Sequence, residues 1–539
     1  MKTSIVQRNR FYAFMRQRGV KAGFIATVCA LMMVSAAYAA IVSHKISGEM
    51  PDFGAVNLDK RSPDGSYVVF TADRTVDGRR ELYSVPTRGG TPIQLNPTMV
   101  YGGSVEFFSI TPDSQRVVYR ADQEEDERFE LYSVPINGGT AVKLNSTLVH
   151  DGDVIIYQIT PDSSGVVYAA DQEVSTEDEL YSVPISGGTP IKLSEGLADA
   201  SDVYSIKLSP NSQWVVFEAV LEFPAPGALE LYSVPISGGV PQKLNDSRNV
   251  RETQISPDSQ YVVYTISLYM NTDTDLYSVP IGGGTPIRLH PVLVAGGNVQ
   301  HDFQITPNSL GVVFRGDVVE DEVVDLYVVY MNGTGLTPLN ETVIPEGDVA
   351  EFDITSNSLG VVYRADQEVD EVINVYSIYI NGTNRTQLNP NLVSGGSVEE
   401  FRITPNNLGV IYRADQTMND VVELYSVYIN GDNPIKLNPT FSFWQDIMYF
   451  TISPNSLAVV YLADVEEDEV FELYVVPSIG GPSIRLNGEI LPPGGDIMDA
   501  RITPDNLSVV YRCDQEVDDK FELYVAYDTR LFYLPVVTR

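Results

Sequence analysis

The stretches TPDSSGVVYAAD (160–171) and ELYSVPISGGTPIKL (179–193) decide the fold. Thr160-Pro161-Asp162 is a tight turn: proline presets φ, and the aspartate can accept a hydrogen bond from the backbone that follows. Gly187-Gly188 allow the positive φ of a hairpin turn. Around both turns lie short runs rich in Val, Ile, Tyr and Phe, the composition of β-strands.

The same unit recurs along the chain. The middle residue of Ser/Thr-Pro-Asp/Asn falls at Pro63, Pro112, Pro161, Pro210, Pro257, Pro307, Ser356, Pro405, Pro454 and Pro504, a period of 47 to 50 residues. Unit two reads as VEFFSI (105–110), RVVYRA (116–121), FELYSVPI (129–136) and TAVKLN (140–145). Four antiparallel strands at this period predict an all-β chain, a β-propeller of ten four-stranded blades over residues 53–539. A stacked β-solenoid fits less well, because its coils are shorter and lack two turns per unit.

This pattern resembles the TolB-type, or PD40 (WD40-like), propeller repeat. Pro161-Asp162, Val166-Val167-Tyr168, Asp171, Glu179-Leu180-Tyr181 and Gly187-Gly188 carry the likeness within one unit. The resemblance implies an envelope binding protein, or a gating domain of the kind fused to peptidases. Ser356, in place of the turn proline, and the high acidity depart from it.

Units six to ten begin strand two with Leu310, Leu359, Leu408, Leu457 and Leu507, where units one to five have Ser66, Gln115, Ser164, Gln213 and Gln260. That split suggests two five-bladed rings. The link from unit five to six is as long as the others, which favours a single ring of ten. The C-terminal RLFYLPVVTR (530–539) is expected as the fourth strand of the last blade.

Asp and Glu number 72 against 35 Lys and Arg, a formal charge of −37. Such a balance argues against nucleic acid and anionic lipid, which need clustered cations. Two cysteines and four histidines exclude a disulfide scaffold and leave little for zinc. Residues 1–21 carry six cations and no acid, followed by an uncharged stretch over 22–42. This reads as a signal peptide over 1–39, cleaved before Ala40 at the Ala37-Tyr38-Ala39 triplet, with an uncleaved anchor at 22–42 as the alternative. Cleavage would take the net charge to −43. Either way the main body is expected outside the cytoplasm: secreted, periplasmic or on the cell surface.

No Gly-x-Ser-x-Gly elbow is present, and His44, His150, His290 and His301 share no repeat position. No catalytic residue and no bound cofactor are assigned. The recurring polar feature is an acidic loop between strands two and three. Asp122, Glu124 and Asp126 form one example; Asp366, Glu368, Asp370, Asp464, Glu466, Asp468, Asp514, Glu516 and Asp518 form others. These carboxylates are candidate Ca²⁺ ligands, but they lack the glycine and distal glutamate of an EF-hand. Turn capping by the first Asp is the plainer reading. Arg120, Arg315, Arg364, Arg413 and Arg512 precede the loops and are expected to pair with acids such as Glu130 or Glu423. Units four and five replace the loop with Leu221–Gly227 and Leu268–Thr272.

A four-stranded meander places the acidic loops and interblade links on one rim. Glu106, Asp153, Asp348, Glu351, Glu399, Glu400 and Asp496 join them there as the expected partner face. The reading is an extracytoplasmic, non-enzymatic binding or scaffold propeller, offering this face to an envelope or extracellular protein or peptide. A carboxylate-based hydrolase or lyase at the central channel, and a cell-surface structural component, are the alternatives.

Overall fold

The computed structural model describes residues 42–527, apart from 53, 175–176, 198–200, 222–228, 247–248, 270–271, 341–343, 345–346, 468–469, 489–494 and 518. The leader assigned to 1–39, the anchor assigned to 22–42 except for Val42, and the RLFYLPVVTR segment lie outside these residues. The described chain forms ten four-stranded antiparallel sheets and no helix. In blade two the strands are Val105–Ile110, Arg116–Ala121, Glu130–Pro135 and Val142–Lys143.

Each sheet alone would expose two apolar faces; packing against its neighbours covers both. Val69 and Leu82 of blade one pack with Val105, Phe108 and Tyr132 of blade two. The junction of blades five and six is built the same way, from Val263, Leu276, Phe303, Val312 and Tyr327. Val68 and Val85 of blade one join Val510, Leu523 and Val525 of blade ten. The result is a single ten-bladed β-propeller, closed on itself, with no break at the middle.

Closure differs from the expectation. The outer strand of blade ten is Val42–Lys45, paired antiparallel with Glu522–Tyr527 from Val42↔Tyr527 to Lys45↔Tyr524. The segment that follows completes the imitation. Ser47 Oγ accepts from Leu523 N–H at 3.3 Å, as Asn145 Oδ1 accepts from Leu131 N–H at 2.9 Å in blade two. Sealing the ring with a strand from the other end of the chain leaves no sheet edge at the seam.

Inside every blade an aromatic ring from strand two stacks on a tyrosine from strand three. In blade three this is Tyr168 on Tyr181, centroids 5.4 Å apart. The Tyr181 hydroxyl donates to Glu179 at 2.9 Å, and Lys192 approaches the same carboxylate at 2.8 Å. Burial and the Glu179 carboxylate together push the Tyr181 phenol far up. The glutamate is thereby held in the core with a cation and a hydroxyl to satisfy it.

The turn between strands one and two follows its sequence. Asp162 Oδ1 accepts from Thr160 Oγ1 (2.7 Å) and Ser164 N–H (3.0 Å), and Ser163 takes φ +62°. Its hydroxyl reaches back to the previous blade, accepting from Asp113 N–H at 3.0 Å. This stitch runs from blade to blade but stops at the seam, where Gly65 supplies no hydroxyl. There a cavity of about 680 Å³ opens between Asp64, Ser66, Arg88, Asp505 and Tyr527.

Candidate functional site

The first strand of each sheet touches the first strand of the next at several blade junctions, so these strands line the central channel. Strand one starts at the acidic rim and runs towards the turn rim. Five blades carry an arginine in strand two that reaches across to the next blade's strand one. Arg364 Nη1 donates to Val398 O at 2.7 Å and Arg413 Nη1 to Ile447 O at 2.9 Å. Arg120, Arg315 and Arg512 reach Val154 O, Val349 O and Asn57 O likewise. Their carboxylate partners are on strand one or beside it: Glu106 for Arg120, Asp302 for Arg315, Glu351 for Arg364, Glu399 and Glu400 for Arg413. Pairing with Glu130 or Glu423 is therefore corrected. Those acids begin strand three and are taken by Lys143 and Lys436, both at strand four.

The acidic loops divide their carboxylates among separate tasks. The first Asp ties its own loop to the interblade link. Asp366 accepts from Asp348 N–H (2.6 Å) and Glu371 N–H (3.3 Å); Asp122 accepts from Ser104 N–H (2.6 Å) and Glu127 N–H (3.2 Å). Asp464 and Asp514 accept from Asp446 and Asp496 N–H, both at 2.5 Å. The glutamates turn instead to cations in or just before the outer strand: Glu124 to Lys143, Glu368 to Arg385, Glu466 to Arg485 and Glu516 to Lys45. Asp126 packs over Gly102, whose missing side chain and φ of +90° make room for it. Asp370 is exposed, while Asp468 and Asp518 lie outside the described residues. Among the described residues, no three His, Cys, Asp or Glu side chains converge as a cation's ligand set.

The expected partner face is likewise engaged within the protein. Asp153 accepts from Phe129 N–H and Asp348 from Val324 N–H, each at 2.7 Å and each across a blade boundary. Burial raises both carboxyls above their ordinary value. Asp496 donates its N–H to Asp514, and the four glutamates are the arginine partners already named.

One arc of the wall departs from this pattern. In blades four and five the arginine position holds Glu218 and Thr265, and strands two and three lengthen into hairpins over Trp214–Leu221, Tyr261–Tyr269 and Thr272–Pro280. The irregular loop at 222–227 and the side chains of Leu221 and of 268–272 lie outside the described residues. The Thr265 hydroxyl meets His301 Nδ1 at 3.1 Å and accepts from Glu252 N–H at 3.2 Å. Arg251 Nε donates to the Ser267 hydroxyl at 3.0 Å, and Lys207 pairs with Glu252 at 3.3 Å. Glu218 accepts from Thr253 Oγ1 at 2.9 Å. Burial, with Arg251 nearby, lowers the His301 pKa and so favours the neutral imidazole. Arg251 is exposed and, among the described residues, meets no carboxylate.

Sequence reasoning marked units four and five by their irregular loops but assigned no site to these residues, because none of them repeats. The available signals were negative: Thr265 where Arg was due, and one extra residue in V-Q-H-D-F-Q-I (299–305). The other histidines are separate. His290 Nε2 takes the asparagine's place at the end of strand four, accepting from Leu276 N–H at 3.1 Å. His150 is exposed beside Asp151, and His44 tilts against Tyr527.

No protein-family model matches the chain, and no curated protein matches it. Solved structures do. A prolyl endopeptidase is similar at 12% identity and a TM-score of 0.36, over 68% of this chain and 55% of its own. Dipeptidyl peptidase 4 of Porphyromonas gingivalis is similar at 12% identity and a TM-score of 0.44, over 80% and 66%. A TolB of Agrobacterium tumefaciens is similar at 16% identity and a TM-score of 0.27, over 54% and 94%. The chain thus spans between half and two thirds of the two peptidases' length. These are likenesses of fold, and a TolB propeller is among them. The expectation of a non-enzymatic binding or scaffold propeller is corrected to that of a propeller fold shared by two peptidases and a TolB.

Proposed function

We propose that this chain is an extracytoplasmic propeller that binds a free peptide C-terminus at the channel wall of blades four to six. The observation that carries the reading is Arg251: an exposed guanidinium that, among the described residues, faces no carboxylate, in a chain of charge −37. Lys207 and Arg315, the neighbouring described cations of the wall, are each matched by an acid. An unmatched arginine beside an imidazole and two hydroxyls suits a carboxylate, which the guanidinium can hold in a two-pronged grip. Extended hairpins at the same mouth give the peptide chain walls to lie against. The exported location rests on the basic leader and apolar stretch before residue 40.

Titration calorimetry of the full chain against tetrapeptides with free and amidated C-termini tests this. Free-acid peptides should bind, and amides and the Arg251→Gln variant should each lose at least tenfold. Affinity should rise as pH falls through the imidazole range, because a bound carboxylate favours protonated His301. Equal affinity for acid and amide would overturn the reading.

A further inference from the structure

The turn rim changes character in blades six to eight. Where six blades have proline at the end of strand three, these three have Tyr330, Tyr379 and Tyr428; blade ten, at the seam, ends on Tyr527. The change alters the hairpin. Proline has no N–H, whereas these tyrosines donate to Thr334 O, Thr383 O and Asp432 O at 3.0 Å. The tighter turn puts Gly335, Asn384 and Asn433 at φ between +56° and +72°, next to the tyrosine. The turn acids Asp113 and Asp162 give way to Asn308, Asn357 and Asn406, and Leu310, Leu359 and Leu408 start strand two.

The fold does not need these side chains. The three leucines are 61–63% exposed and the three tyrosines 47–57% exposed, so they add little to burial. Two pockets lie between them, one blade apart. The first, about 280 Å³, is bounded by Asn357, Leu359, Tyr379, Asn384, Asn407 and Asn430. The second, about 200 Å³, is bounded by Asn406, Leu408, Tyr428, Asn433, Ser456 and Ile479. Neither lining holds a charged residue, although 20% of the chain is charged.

From this geometry we infer that the turn rim of blades seven to nine binds a neutral oligosaccharide, one sugar ring per pocket. A charged ligand would be desolvated there without a counter-charge. A purely apolar one would strip water from the asparagine amides and return nothing. A sugar has an apolar C–H face for the tyrosine and leucine, and hydroxyls that both accept from and donate to amides. Two like pockets at the blade spacing suit a polymer of like units. The site lies on the opposite rim from Arg251 and is independent of it.

An array of neutral and charged glycans probed with the full chain, followed by affinity electrophoresis in the best neutral polysaccharide, tests the inference. Tyr379→Ala with Tyr428→Ala should weaken binding tenfold or more. A Leu359→Gln variant, which restores the residue type of blades two, four and five, should weaken it less. Melting curves should be nearly unchanged, since all three side chains are exposed. Failure to bind any neutral glycan, or binding indifferent to both variants, overturns the inference. So does concentration-dependent self-association that the tyrosine variants abolish, because the rim would then join copies of this chain.

Discussion

Lys45, four residues into the described chain, lies 3.0 Å from Glu522, 477 positions away. It occupies the place that Lys143 has beside Glu130 in blade two. The Glu522 side chain is 2% exposed, so it depends on that cation. Lys45→Ala should destabilise the ring by about 2–3 kcal/mol, under the ~3–5 of a fully buried pair because Lys45 keeps some water. Urea unfolding measures the loss, and adding Glu522→Gln to the variant should recover part of it.

Deleting residues 42–47 should have a larger effect than any point change. It uncovers the edge of Glu522–Tyr527 and unseals blade ten from blade one. Limited proteolysis should then cut in blade ten first, and gel filtration should show association through the open edge. Deleting 528–539 leaves the ladder of Val42–Lys45 in place, so it should cost far less.

Asp178 gives a pH signature. Burial first, then the Asp202 and Asp171 carboxylates, push its pKa up to about 6. A carboxyl raised in the fold costs stability once ionised, so this group erodes stability as pH rises from about 4 to about 6 and holds it constant above. Asp178→Asn should therefore raise the melting temperature at pH 7 by on the order of 1–2 °C. At pH 4 the variant and the parent should melt together.

Calcium should do little beyond screening. The loop acids are divided between backbone N–H groups and cations in or just before the outer strand, as at Asp366 and Glu368. Melts in NaCl and CaCl₂ at matched ionic strength should differ by a few degrees at most. A calcium-specific rise above about 10 °C, lost in Asp366→Asn, would mean a true site.

Much of this architecture was legible one unit at a time. Asp162 and Gly187 state their turns because the contacts they make are local, within a few residues. The strands of blade two begin and end nearly where the runs of Val, Tyr and Phe do, since period-two side chains must face a neighbouring blade. Composition does not show which acids also serve the fold. The acids at Asp153 and Asp348 count as surface charge in a sequence, yet each caps a backbone N–H of the preceding blade.

The sequence by itself therefore determined the ten blades and their turns, because each depends on contacts inside about 49 residues. Only the tertiary structure decided how the ring closes. HKIS (44–47) already matches IKLS (191–194), but nothing local says which edge it will complete; that edge exists only once blade ten stands beside blade one. The channel arc was decided in the same way. His301 meets Thr265 from the adjacent blade, across 36 residues, at the strand-two position that holds arginine in five other blades.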